Sequence, residues 1–308
     1  MRTLLHVLSG LEVGGTERVA LQLARRAARE GFASRFVLFD TPFRSVEQDF
    51  DPGPIPVQFL PRGPGLDLRF AGALARLLRE LNAIDGLEWI RMLYLYPTTI
   101  GDDVLDAIAE CQKVCNYIDL PLQHASDRVL KRMKRPGTRA SYERLLDRIR
   151  HRIPDVTLRT TFIVGFPGET DDDFAQLQDF VKTLGFDHVG VFTYSHEEGT
   201  SAHGLEDDVP VKVKTQRQSR LMSLQKQIVG KAQQLRVGQH VRLLIDGPST
   251  EHELVLRARL EGHAPDIDPV VYLTDCDPSD FTAGQFIQAE IVGSREYDLL
   301  ASPLSAPV

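Results

Sequence analysis

A chain of 308 residues with 42% hydrophobic and 26% charged residues has the composition of a soluble globular protein and the length of two or three domains. Net charge is −7, from 36 basic and 43 acidic residues, so bulk attraction to nucleic acid is not expected, and no apolar run approaches the roughly 20 residues that span a bilayer. Three cysteines, Cys111, Cys115 and Cys276, exclude a disulfide scaffold and an all-cysteine zinc site, and with no signal-peptide core they point to a reducing cytoplasm.

Residues 1–80 hold 11 arginines, no lysine and 9 acids. Leu4-Leu5-His6-Val7-Leu8 is a short apolar run of the kind a buried parallel strand shows. A helix follows, N-capped at Thr16, with Val19, Ala20, Leu23, Ala24 and Ala27 at helical spacing and Gly31 at its end. Phe36–Phe39 and Val57–Leu60 predict two more strands, and an amphipathic helix runs from Leu68 through Leu78. Gly14-Gly15, before the first helix, can bring backbone N–H groups to an anion or simply make a tight turn. The rhythm is that of a Rossmann-like βαβ segment. Here His6-Val7-Leu8-Ser9-Gly10-Leu11 and Gly14-Gly15-Thr16-Glu17-Arg18 resemble the opening of GT-B retaining glycosyltransferases, whose second, nucleotide-sugar domain has no counterpart in this sequence.

From Leu87 strand and helix alternate. Strands are expected at Trp89–Tyr96, Tyr117–Gln123, Leu158–Gly165 and His188–Tyr194, and helices at Asp102–Glu110, Ser126–Met133 and Asp171–Leu184. This pattern implies a parallel sheet or a β/α barrel, in which chemistry gathers at the C-terminal strand ends. The unusual residues fall there: Gln123-His124-Ala125-Ser126, Gly165-Phe166-Pro167-Gly168-Glu169-Thr170, and Tyr194-Ser195. Glycines at a strand end allow close backbone approach to a flat ligand, and the Glu169 carboxylate can accept hydrogen bonds from it. The same residues also suit a helix-initiating turn with Glu169 at the helix N-terminus. For His124 a hydrogen-bonded structural role outweighs that of a base, and His188, His196 and His203 have no metal-ligand spacing with a cysteine pair.

Phe162-Ile163-Val164-Gly165-Phe166-Pro167-Gly168-Glu169-Thr170 and Leu120-Pro121-Leu122-Gln123-His124-Ala125-Ser126 resemble the signature segments of the radical S-adenosylmethionine (SAM) methylthiotransferase family. The resemblance covers about residues 84–303. Tyr94-Leu95-Tyr96-Pro97-Thr98 and Tyr194-Ser195-His196-Glu197-Glu198-Gly199-Thr200 are similar to the RimO type, which modifies an aspartate of a small-subunit ribosomal protein, rather than to the type that modifies a tRNA adenosine. The resemblance implies SAM and 4Fe–4S clusters as cofactors, with Gln123, Ser126, Gly165, Gly168 and Glu169 around SAM. It also equates the Trp89 strand with the third strand of the family barrel, so that residues 1–80 stand where earlier strands would be. A radical SAM cluster needs three thiolates in a Cys-x3-Cys-x2-Cys loop; Cys111 and Cys115 imitate its first half, but the third position is Ile118. Two small hydrophobic cysteines is the better reading of that pair, and the chain by itself is expected to be inactive.

Residues 227–308 carry 6 basic and 12 acidic residues and turn to strands at Gln239–Gly247, Leu254–Arg259, Val270–Leu273 and Phe286–Val292. They predict a small antiparallel β-barrel whose position and ending resemble the TRAM module of the same family. Phosphate contact needs clustered Lys and Arg, so this acidic module favours a basic protein partner over nucleic acid. The reading is therefore α/β: a Rossmann-like segment (1–80), a partial radical SAM β/α barrel (81–225) and a TRAM barrel (226–304). Rival readings are a tRNA-modifying fragment, a glycosyltransferase fragment and a non-enzymatic module that binds a ribosomal protein.

Overall fold

The computed structural model describes residues 3–8, 24–26, 33–38, 54–59, 68–197, 202–249 and 255–304. They fall into two compact units, residues 1–84 with 98–107, and residues 85–97 with 108–308.

In the first unit β1 (Thr3–Leu8), β2 (Ala33–Leu38) and β3 (Val57–Phe59) form a parallel sheet in that order, with Thr3 opposite Ala33 and Leu8 opposite Leu38. The three expected strands are present, β2 starting three residues earlier than its apolar run. The Gly14-Gly15 loop lies outside the described residues; of the helix after it, only 24–26 is described, and is helical. Helix α1 (Leu68–Asn82) buries Ala71, Leu74, Ala75 and Leu78, spaced as one helical face demands.

The second unit holds another parallel sheet, β4 (Tyr117–Gln123), β5 (Thr157–Val164) and β6 (His188–Thr193), in sequence order. Helix α2 (Asp102–Glu110), whose residues 102–107 belong to the first unit, precedes it in sequence, and α3 (Asp127–Arg132) and α4 (Arg139–Arg152) join β4 to β5. Helix α5 (Asp171–Leu184) joins β5 to β6. Within this unit Phe162, Phe180 and Phe186 are fully buried and meet edge to face or tilted at about 6 Å. Burial alternates along β5, so that Arg159, Thr161 and Ile163 occupy its less covered face.

Three sequence expectations change here. Residues 89–96 are not a strand: Ile90 makes one parallel bridge, to Val114, and Leu95 N–H donates to the Asp119 carbonyl. Tyr94 breaks the extended run, its φ of 57° held by a 3.0 Å hydrogen bond from its N–H to the Asp119 carboxylate. Beyond these contacts the segment forms no ladder among the described residues, and β1 pairs with β2. Helix α4, capped by a Thr138–Ser141 box and burying Tyr142, Leu145, Leu146 and Ile149, was absent from the expected elements. So was α6 (Val211–Gln234), 24 residues packed on β6 and α5.

The C-terminal strands β7 (His240–Pro248), β8 (Leu256–Arg259), β9 (Val271–Leu273), β10 (Phe286–Arg295) and β11 (Asp298–Pro303) close into a barrel in the order β10-β11-β9-β8-β7. It is not wholly antiparallel, because β11 pairs with β9 in parallel. Leu243, Ile245, Val271, Ile291 and Leu299 fill its centre. Among the described residues no helix is long and apolar enough to cross a membrane.

Candidate functional site

At the C-terminal ends of β4 and β5 the sheet ladder is interrupted and resumes only at the Gln123–Phe162 pair. Pro121 has no N–H to donate, and the β4–β5 register shifts between Leu120 and Gln123. Gln123 then turns with φ 73° and carries the chain into a buried segment, His124-Ala125-Ser126. His124 Nδ1 accepts from Ser126 N–H at 3.0 Å. That fixes the ring proton on Nε2, which lies 3.6 Å from Glu169 Oε2 and makes no hydrogen bond among the described residues. Ser126 is the N-cap of α3 by position, yet its hydroxyl donates across to Asp173 at 2.6 Å.

The β5 loop is shaped around Glu169. Its carboxylate, fully removed from solvent, accepts from Gly165 N–H at 2.6 Å and Phe166 N–H at 3.2 Å through one oxygen, and from Arg217 Nη1 at 3.0 Å through the other. Gly165 has φ 72°, and a Cβ there would run into the Lys214 side chain, so α6 leaves room only for glycine. A second buried carboxylate, Asp173, closes the capping box of α5 with Thr170 and also takes Arg128. Arg128 in turn donates to the Gly168 carbonyl at 2.6 Å. Burial pushes the Asp173 carboxyl up, but donation from Arg128, Ser126 and Thr170 outweighs this and holds it well below the usual carboxylate range.

Four of the five residues that the family resemblance places around SAM, Ser126, Gly165, Gly168 and Glu169, thus belong to one hydrogen-bonded bracket between two strand-end loops. The fifth, Gln123, sits at its rim, and its side-chain amide pairs with none of the described residues. Sequence reasoning missed Arg128, Asp173 and Arg217, which complete the bracket; Asp173 was legible as the third residue of a capping box begun by Thr170.

At the end of β6, Tyr194 packs edge to face on Phe166 at 5.1 Å and lies under Lys214 Nζ at 5.0 Å. Its hydroxyl is 3.2 Å from His196 Nδ1, and the His196 ring lies 4.5 Å from that of His203. Lys214 pairs with Asp207 at 2.6 Å.

The opposite end of the sheet is closed by the β8–β9 loop. Arg159 Nη1 pairs with the buried Asp119 at 3.0 Å, and Arg159 Nε with Asp268 at 3.2 Å. Asp268 also accepts from Tyr117 Oη at 2.7 Å and Ala264 N–H at 2.8 Å, while His188 Nε2 lies 2.9 Å from the Gly262 carbonyl. Burial, with the Asp268 carboxylate adding to it, pushes the Tyr117 hydroxyl far up and keeps it a donor.

The profile of the radical SAM superfamily matches residues 15–181. The chain belongs to the radical SAM superfamily. The TRAM domain profile matches residues 237–304, the closed barrel with its approach. Among curated proteins, the chain is 45% identical over 236 residues to the ribosomal protein uS12 methylthiotransferase RimO of Symbiobacterium thermophilum, covering 77% of this chain and 48% of that protein. It is 44% identical over 241 residues to the RimO of Geobacter sulfurreducens, covering 78% of this chain and 53% of that protein. The chain spans about half the length of the curated relatives it matches. Among solved structures, coproporphyrinogen III oxidase (HemN) from Escherichia coli aligns over 84% of this chain and 67% of its own with a TM-score of 0.48 and 14% identity. The superfamily match starts at residue 15 and so takes in most of residues 1–80.

Superfamily chemistry uses a thiolate-bound iron–sulfur cluster, and the residues here do not fit one. Among the described residues no group of three or more His, Cys, Asp or Glu is placed to hold a metal ion. Cys111 and Cys115 are buried, the latter against Trp89, Tyr117 and Ala264, and Cys276 packs against the TRAM core. Burial pushes the Cys115 thiol up to about 11, Arg91 opposing and Glu261 adding. At neutral pH that leaves roughly a hundredfold less thiolate than on an ordinary cysteine. An alkylating reagent applied to the native chain is therefore expected to label Cys276 first, with Cys111 and Cys115 following only on unfolding. A mass-spectrometric time course showing Cys115 modified as fast as Cys276 would contradict this.

Proposed function

We propose that this chain supplies the SAM-binding and substrate-docking part of a RimO-type methylthiotransferase acting on an aspartate of ribosomal protein uS12, and that it assembles no 4Fe–4S cluster by itself. The observation that carries the reading is 45% identity to RimO over 236 residues, which takes in both strand-end signature loops. Gln123 supports a ligand at those loops: a strained, left-handed backbone carries an amide that is unpaired among the described residues and brings an NH2 donor group and a carbonyl acceptor to the strand end. Bound SAM would supply the methyl group. The loops would orient it, Gly165 and Gly168 permitting close backbone approach. The TRAM module exposes Asp266, Asp275, Asp277 and Asp280 and suits a basic ribosomal protein. In this reading the chain divides at about residues 80 and 225 into a Rossmann-like segment, a partial barrel and the TRAM module.

The test is equilibrium dialysis of the purified chain against labelled SAM, followed by anaerobic reconstitution with iron and sulfide. Saturable SAM binding, weakened at least about tenfold by Gln123→Ala, is expected, with no cluster absorbance and no SAM cleavage. Absence of binding would end the SAM reading, and a cluster band with cleavage would end the claim about assembly. Co-sedimentation of the chain with purified uS12, lost at high salt, tests the partner.

A further inference from the structure

We propose that Arg217 is a positioning residue: it sets the shape of the Gly165–Glu169 loop through the Glu169 carboxylate. Its importance for SAM rests on the function proposed above; its action on the loop does not.

Glu169 is the loop's internal template. Its Oε2 holds the Gly165 and Phe166 N–H groups. Two amides leave a fully buried carboxylate short of a counter-charge, and such a group requires a cation. His124 offers Nε2–H at 3.6 Å, beyond hydrogen-bond reach. Arg217, its side chain 7% exposed, supplies the charge. Its Nη1 donates to Glu169 Oε1 at 3.0 Å and to the Glu169 carbonyl at 3.2 Å, and Nη2 donates to Asp171 at 2.8 Å. One guanidinium thus grips the loop by side chain, backbone and the first turn of α5, stacked over Phe174 at 5.7 Å. It comes from α6, 48 residues downstream, so the strand-end loop is shaped by a helix outside its own signature segment.

The test is hydrogen–deuterium exchange, read by NMR on the full chain, at the Gly165 and Phe166 amides, with SAM dialysis run on the same samples. In Arg217→Met these two amides are expected to exchange at least about a hundredfold faster, while amides of the distant strand β10 keep their protection. Arg217→Lys, which keeps the charge but cannot grip Glu169 and Asp171 together, should fall between. If Arg217→Met does not fold, Glu169→Gln/Arg217→Met removes the stranded charge and provides the comparison; its loop amides should still exchange faster than in the unsubstituted chain. Unchanged protection in the single or the double variant overturns the proposal. Uniform loss that includes β10 also overturns it, since Arg217 would then be a general structural residue. SAM affinity reads separately. No binding by the unsubstituted chain refutes the proposed function and leaves the exchange result standing. Fast loop exchange with undiminished SAM affinity refutes only the link between this loop and SAM.

Discussion

Arg159→Met is expected to lower the stability of the larger unit by about 3–5 kcal/mol. Arg159 is the only cation bonded to both Asp119 and Asp268 among the described residues, and all three side chains are 11% exposed or less. Burial opposes charge on the guanidinium, and the two carboxylates outweigh it. Methionine would fill much of the volume and leave two buried carboxylates without the guanidinium that bridges them. The hydrogen bonds left would be Tyr94 N–H for Asp119 and Tyr117 Oη with Ala264 N–H for Asp268, with His188 Nε2 4.0 Å from Asp268. Arg159→Lys should recover part of the loss, because an ammonium is a point charge and the native contacts use two separate nitrogens, Nη1 and Nε. The measurement is urea unfolding followed by tryptophan fluorescence, since Trp89 packs beside Tyr117. A loss below about 1 kcal/mol would mean that water reaches the pair and screens it.

Much of this fold could be read from apolar periodicity, and the failures have different causes. Helix α5 and strand β4 lie where expected because Phe174, Leu177 and Val181, or Ile118, Leu120 and Leu122, repeat with the right period. Helix α6 escaped because its buried stripe is Lys214, Arg217, Leu221, Gln225, Val229 and Gln233, more polar than apolar. Those polar groups satisfy backbone carbonyls and loop charges: Gln225 reaches the Phe186 carbonyl at 2.7 Å and Gln218 that of Val191 at 2.7 Å. A helix that serves as a hydrogen-bonding rack leaves no hydrophobic signature. The segment 89–96 failed in the opposite direction, since its apolar run reads as a strand while Tyr94 takes a left-handed turn dictated by Asp119, 25 residues later. The site shows the same division. Gln123, Ser126, Gly165, Gly168 and Glu169 were legible as unusual residues at strand ends, but the partners that hold them came from elsewhere in the sequence. Arg217 became visible only once the chain had folded, whereas Asp173 could have been read as the close of the capping box that Thr170 begins.

Asp173→Ala is expected to cost about 3 kcal/mol, and the cost should depend on pH. This carboxylate is an intersection: Ser126 from the β4 loop, Thr170 from the α5 cap and Arg128 from α3 all donate to it. Alanine would strand the buried Ser126 hydroxyl, open the capping box and release Arg128 from the bracket. Asp173→Asn separates charge from geometry, since its amide oxygen can still accept from Ser126 or Thr170 while Arg128 loses its anion. The folded carboxyl is held below the ordinary value of 3.8. A depressed carboxyl contributes stability that is fully present above that ordinary value and is lost as pH falls from it toward the folded value. The gap between the unsubstituted chain and Asp173→Asn should therefore be widest at neutral pH and shrink below 3.8. Urea midpoints of both proteins across an acid series give the comparison. A gap that stays constant as the pH falls would show that hydrogen-bond geometry, and not the charge, is what Asp173 brings to the joint between the two loops.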